Sequence, residues 1–200
     1  MIFTSRHTLF MGIDMIKYDL YKLLKEELKN GSSDLVTRQS GQTIRERIER
    51  DIVKEKDGEI ISLDFSKIGI VDYSCADEIA AKLISRLLSG EYGDRYIILI
   101  GLNENQKENI EVALERKELA VIGMMRDKEK VLIGSLNKYL SDTLELILKK
   151  GRITAKELCD KMSLEPNASG MRLLNLHKKR LVKRVEKTTD GGKVWSYERI

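Results

Sequence analysis

Hydrogen-bond donors crowd the carboxy-terminal part of the chain. Ser169, Arg172, Asn175, Lys178 and Lys179 fall within one short stretch, and Lys187 and Lys193 flank a turn-forming run, Thr188-Thr189-Asp190-Gly191-Gly192. An arginine bonds guanine bidentately and an asparagine does the same for adenine. Lysines suit phosphates. Leu173 and Leu176, three apart, mark a packed helix face, which leaves the five donors pointing outward. A second cluster is Asp72-Tyr73-Ser74-Cys75, just before Ala76-Asp77-Glu78. A carboxylate and a hydroxyl at a helix start satisfy its free N–H groups. The same place favours added negative charge, as from phosphorylation, and can activate a thiol. Asp77 and Glu78 already bring negative charge to the first turn, which opposes a phosphate. Three readings of this loop stay open: a helix cap, a partner-docking loop and a phosphoacceptor. Cys75 reads either as a redox-active thiol or as an inert small residue.

Enzyme signatures are missing. The chain has no GxGxxG, no GK[ST] phosphate loop, no HExxH and no GxSxG elbow. Asp64 and Asp72 are a carboxylate pair without a nucleophile or metal-ligand companion. Cys75 and Cys159 lie too far apart in sequence for a disulfide framework, and His7 and His177 are too few for a His-rich metal site. His177 reads as a packed or half-exposed helix residue. No catalytic activity and no cofactor are therefore expected. The best apolar run, Tyr96-Ile97-Ile98-Leu99-Ile100, is strand-sized, far short of the roughly 18 to 20 residues of a membrane helix. Met1 is followed by no long apolar signal core, so a cytoplasmic, reducing compartment is expected. Met11 and Met15 are alternative starts.

Over 200 residues the formal charge is only +4, but it is unevenly spread. Residues 1–135 carry 21 basic and 24 acidic side chains, a net −3, and residues 136–200 carry 15 and 8, a net +7. The split suggests two modules with different partners. For the basic one, nucleic acid and a merely solvated lysine-rich surface are equally served by charge alone.

The elements that must position these residues follow from periodicity. Ile16, Leu20, Leu23, Leu24 and Leu28 predict a helix over 16–28, stopped by Asn30-Gly31-Ser32-Ser33. A short strand at Leu35-Val36-Thr37 precedes a helix N-capped by Ser40 and running to Ile52. Strands are expected at 59–65, 95–100, 120–122 and 131–133, and helices from Ile79 to Leu88 and from Asn103 to Lys117. Such alternation is an α/β pattern with a partly parallel sheet. The last third differs. Leu140, Leu144, Ile147 and Leu148 mark a helix closed by Gly151; Thr154 and Glu157 have capping-box spacing before a second helix; Pro166 precedes a third. Two extended runs then flank Asp190-Gly191-Gly192 as a β-hairpin. Trp195 and Tyr197, two apart on its last strand, read as core. Three helices and a hairpin are the plan of a winged helix-turn-helix.

This segment resembles the winged-helix domains of prokaryotic regulators such as the MarR and ArsR groups. The resemblance rests on Thr154-Ala155-Lys156-Glu157-Leu158-Cys159, Met171-Arg172-Leu173-Leu174-Asn175-Leu176 and Arg180-Leu181-Val182-Lys183-Arg184. Arg180 stands where the pattern has Gly, a change expected to add charge and do little to the fold. Upstream, Ile61-Ser62-Leu63-Asp64-Phe65 followed by Asp72-Tyr73-Ser74-Cys75-Ala76-Asp77-Glu78, with Arg38, Gly41 and Arg45 before them, is similar to the STAS-like domain family and more distantly to STAS domains of anti-sigma factor antagonists. In those antagonists a Ser after the loop Asp is phosphorylated; here Tyr73 takes that position, Ser74 is next to it, and Cys75 replaces a usual Gly.

The resemblances imply an α/β chain with a STAS-like sheet and packed helices over 34–135, an N-terminal segment over 1–33, and a small winged helix-turn-helix over 136–200. They imply a regulator that binds double-stranded DNA through Ser169, Arg172, Asn175, Lys178, Lys179, Lys187 and Lys193, with Asp72, Tyr73, Ser74 and Cys75 as the regulatory loop. The alternative they imply is a protein-interaction switch that docks a kinase-like ATPase, with the winged helix as a protein-binding surface. Winged-helix regulators often act as homodimers, for which the helix at 16–28 or at 136–149 could supply the interface.

Overall fold

The computed structural model describes residues 5–8, 14–28, 32–189 and 192–200. The chain is α/β and divides into two compact units, Met1–Ser135 and Leu136–Ile200.

The first unit is built on a six-stranded sheet whose spatial order is the chain order. Its strands are β1 (Ser5–Thr8), β2 (Asp14–Asp19), β3 (Ile60–Asp64), β4 (Tyr96–Leu102), β5 (Ala120–Met125) and β6 (Lys130–Gly134). β2 to β5 are parallel, and β1 and β6 pair antiparallel at the two edges. Parallel neighbours need long crossovers, and helices supply them. These are α1 (Leu20–Leu28) and α2 (Arg38–Ile52) after β2, and α5 (Glu104–Glu115) after β4. After β3 comes one helix in three parts: α3 (Tyr73–Ala76), a π-helical stretch (Asp77–Lys82) and α4 (Leu83–Leu88). Alternate strand residues, among them Ile16, Tyr18, Ile61, Leu63, Ile97, Leu99 and Val121, share one core with these helices. The residues between them, Ile60, Tyr96, Ile98, Ile100 and Ile122, are buried on the other face. Burial on both faces is why β3 and β4 read as continuous apolar runs.

Four expectations change. Residues 16–28 are not one helix. Ile16 and Tyr18 point inward with a period of two, and the helix starts only at Leu20, where the Asp19 carboxylate accepts the Lys22 amide at 3.1 Å. The segment 1–33 accordingly contributes β1, β2 and α1 to the first unit. Leu35-Val36-Thr37 forms a single parallel bridge, Leu35 to Val71, and no strand. The cap of α2 is Thr37; Ser40 sits three residues on and completes the capping box. Asn30, Gly31, Asp190 and Gly191, where a helix stop and a hairpin tip were expected, lie outside the described residues, as do Met1 and Met11.

The second unit runs α6 (Lys138–Lys150), β7 (Arg152–Thr154), α7 (Ala155–Met162), α8 (Pro166–Lys178), β8 (Val182–Thr189) and β9 (Gly192–Arg199), with sheet order β7-β9-β8. Gly151, at φ 87°, ends α6. Thr154 and Glu157 form a reciprocal capping box at the start of α7. Leu140, Leu144, Ile147, Ile153, Leu158, Leu173, Leu176, Val182 and Tyr197 are buried in this unit.

Arg180 has φ 58°. A left-handed conformation costs a non-glycine residue roughly 1–2 kcal/mol, so the residue standing in place of Gly strains the chain between α8 and β8. Arg180→Gly is expected to stabilise the second unit by about 0.5–1 kcal/mol, the gain being reduced by the larger unfolded-state entropy of Gly. Trp195, the single tryptophan, lies in this unit. Its fluorescence in a urea titration reads the shift of the midpoint.

Candidate functional site

The buried stripe of α8 is Ser169, Leu173 and Leu176. Ser169 is fully buried and its hydroxyl donates to the Glu165 carbonyl at 3.2 Å, so it does not point outward as expected. It stands four residues before Leu173 and seven before Leu176, the helical spacing of a common face, and that periodicity was the available signal. The solvent ridge opposite consists of Asn167, Met171 and Lys178, all exposed, with Asn175 half-buried beside them. Asn167 and Met171 were not among the expected outward residues; Met171, though apolar, is 54% exposed. Arg172 sits on the flank. Its guanidinium lies 5.3 Å from the Tyr139 ring centroid and reaches the Tyr139 carbonyl at 3.5 Å, which turns it toward α6. Lys179 is half-buried, just past the last turn. His177 is half-buried, with Nδ1 3.3 Å from the Val182 carbonyl.

On the hairpin, Lys187 pairs with Glu198 at 2.8 Å and Lys193 with Glu186 at 3.1 Å. Tyr197 is buried as expected; Trp195 is not, being 43% exposed with the Arg184 guanidinium 3.8 Å above its ring. The two aromatics do share a face, by the alternation of β9. The strand simply runs on past the core, so that face carries Tyr197 inside and Trp195 and Lys193 outside.

In the first unit the Asp72 carboxylate accepts the Cys75 amide at 2.8 Å and the Ser74 hydroxyl at 2.9 Å. Both side chains are thus engaged in capping the helix that follows. Tyr73 is half-buried under the Arg116 guanidinium, 4.6 Å from its ring centroid. Cys75 is fully buried and its thiol donates to the Thr37 carbonyl at 2.9 Å. Burial pushes that thiol's pKa up, the opposite of an activated nucleophile. Asp64 is tied to Lys17 at 2.6 Å and is not paired with Asp72. Among the described residues no three His, Cys, Asp or Glu side chains group as a metal site, and no helix is long and apolar enough to cross a membrane.

The acidic pair after the loop is neutralised. Glu78, 1% exposed, is held by Arg38 at 2.9 Å, by Arg45 at 3.1 Å and by Lys82. Asp77 takes Arg38 at 3.0 Å and Lys117 at 2.8 Å. Burial alone would raise both carboxyls; the hydrogen bonds from these cations outweigh it and hold both below their ordinary values. The expected repulsion of further negative charge by Asp77 and Glu78 is therefore largely cancelled. Gly41 explains how α2 comes close enough. A Cβ there would lie 2.9 Å from the Cys75 backbone.

Compared with known proteins, the chain matches no family and no curated sequence.

Carboxyls with lowered folded-state pKa values stabilise the fold above their unfolded values and lose that contribution as pH falls. Stability carried by Glu78 and Asp77 is thus present in full above about pH 5.5 and declines through their ordinary values of 4.5 and 3.8. Glu78→Gln is expected to cost about 1.5–3 kcal/mol, because it removes charge-assisted hydrogen bonds at a buried site while Arg45 keeps Glu49 and Arg38 keeps Asp77, and to flatten that acid dependence. Urea unfolding followed by far-UV circular dichroism between pH 7 and 3 measures both. Gly41→Ala should cost about 1–3 kcal/mol by overpacking, read in the same titration at pH 7.

Proposed function

We propose that the protein is a DNA-binding transcriptional regulator whose second unit is a winged-helix reader and whose first unit, resembling STAS-like domains, receives a signal or a partner. The observation that carries this is the coincidence of charge and shape. The unit with 15 basic and 8 acidic side chains is the one in which a helix–turn–helix pair, α7 and α8, is followed by a hairpin extending past its core. Such a helix lies in the major groove with its N-terminal residues at the bases, while the preceding helix crosses the backbone.

In this reading Lys178 and Lys179, at the carboxy-terminal end of α8, meet phosphates beside the groove. Lys187 and Lys193 meet them from the hairpin. Both hairpin lysines are paired with glutamates on the protein surface. Exposed pairs of this kind are worth only about 0.2–1 kcal/mol, so exchanging a glutamate for a phosphate costs little. Phosphate contacts release condensed counterions, and affinity then falls as salt rises.

A mobility-shift titration of the full chain on duplex DNA tests the reading. With four lysines on phosphates, affinity should drop about 100-fold between 50 and 200 mM salt. Lys178→Ala should weaken binding to every duplex alike and reduce the salt slope by about 0.9. No shift of any duplex at 50 mM salt overturns the proposal.

A further inference from the structure

We infer that α8 reads A·T base pairs, with Asn167 and Asn175 directed at adenine and Met171 at the methyl group of thymine. This rests on the DNA-binding reading above and adds the chemical class of site that is bound. The fold decides which side chains stand on the ridge. With Ser169, Leu173 and Leu176 turned into the core, the opposite side of the helix presents Asn167, Met171 and Lys178, with Asn175 beside them. Ala168, also exposed, adds a second small apolar group near the helix start.

Base edges differ in what they ask for. Guanine offers two acceptors, O6 and N7, and is matched by a cation with several donors. Adenine offers one acceptor and one donor, which an amide side chain matches with its own donor and acceptor. Thymine offers a methyl group, which only an apolar side chain matches. Met171 and the two amides answer the second and third descriptions. The first would fall to Arg172, the one arginine of α8. That guanidinium lies against the Tyr139 ring and carbonyl instead. Lys178 is the remaining cation of the ridge. It is the last residue of α8, farther from the N-terminal end than either amide, while the residues that reach base edges lie toward the N-terminal end of a recognition helix.

Selection of bound duplexes from a random library by the full chain, at fixed salt, gives the preferred site. That site should hold A·T pairs at its most constrained positions. Replacing each thymine in it by deoxyuridine removes only the methyl group. Wild-type affinity should then fall about fourfold per methyl contacted, and Met171→Ala should bind both duplexes equally. Asn175→Ala should bind the selected site roughly 5- to 100-fold more weakly, and unrelated duplexes no more weakly than wild type. Met171 is exposed and Asn175 half-buried, so both variants are expected to keep the fold, which the Trp195 fluorescence of each variant checks. Binding without enrichment of any sequence, a selected site built on G·C pairs, or an equal deoxyuridine penalty in wild type and Met171→Ala overturns this inference and leaves DNA binding standing. Failure to bind any duplex overturns the DNA-binding reading itself.

Discussion

A carboxylate taken out of water must be paired, and at Glu78 that requirement organises the helical layer of the first unit. Three cations reach it, two from α2 and one from its own helix a turn further on. For both arginines of α2 to arrive, the helix must lie almost against the Cys75 backbone. Gly41, between Arg38 and Arg45, is the residue that permits the approach. Once α2 is there, its N-terminus is fixed as well. The Thr37 carbonyl accepts the Cys75 thiol, and the Thr37 side chain caps the helix. The loop that starts at Asp72 is thereby clamped between its own cap and the end of α2. The same helix carries the anchoring outward: Arg45 and Arg86 share Glu49 with the Tyr92 hydroxyl, and Arg47 ties Glu27 of α1 to Asp51. Buried ion pairs are poor sources of net stability but are costly to break, so they fix an arrangement more than they strengthen it.

The π-helical stretch, Asp77–Lys82, begins with the two paired acids. Asp77 turns to Lys117 beyond α5, and Glu78 turns to Arg45 on α2, while both share Arg38. A π-helical turn is an irregularity that a helix keeps only when its surroundings hold it. Here four cations drawn from three parts of the chain, Arg38 and Arg45, Lys82, and Lys117, are bound to two adjacent side chains. Read as a sequence, Asp77-Glu78 looked like added negative charge in a first turn. Folded, it is the neutral centre of a cross-linked cluster, because three of its four partners come from residues about 30 to 40 positions away.

That contrast shows what was legible beforehand. Local rules were readable: the Asn103 and Thr154 caps, the Gly151 stop, the strand at Ile60–Asp64 and the hairpin all depend on neighbours in sequence. The misread elements were those where two periods coincide or a distant partner decides. Ile16 and Leu20 are four apart, which fits a helix, and so hid the inward alternation of Ile16 and Tyr18 in a strand. The polar character of Ser169 outweighed its place in the Leu173 stripe. Trp195 was read as core because hydrophobicity says nothing about where a hairpin outruns the body beneath it. Arg172 was correctly seen to leave the packed stripe, but its partner, Tyr139, belongs to another helix and no spacing rule finds it.

The two units use charge in opposite ways. In the first, 21 cations face 24 carboxylates, and its most buried acids have cations within 3.1 Å. In the second, 15 cations face 8 carboxylates, so even complete internal pairing would leave a surplus of seven. A surplus of that size in so small a unit raises its self-repulsion, and the hairpin glutamates at 186 and 198 relieve only part of it. In the DNA-binding reading proposed above, a polyanion would relieve the rest. The α8 ridge is nearly free of charge at its start and cationic at its end, and in the proposed reading this divides the labour along one helix: base edges would be met by the neutral amides and the thioether, and phosphates by the lysines. On that reading, affinity from the surplus and selectivity from the uncharged ridge would be separable properties of one surface.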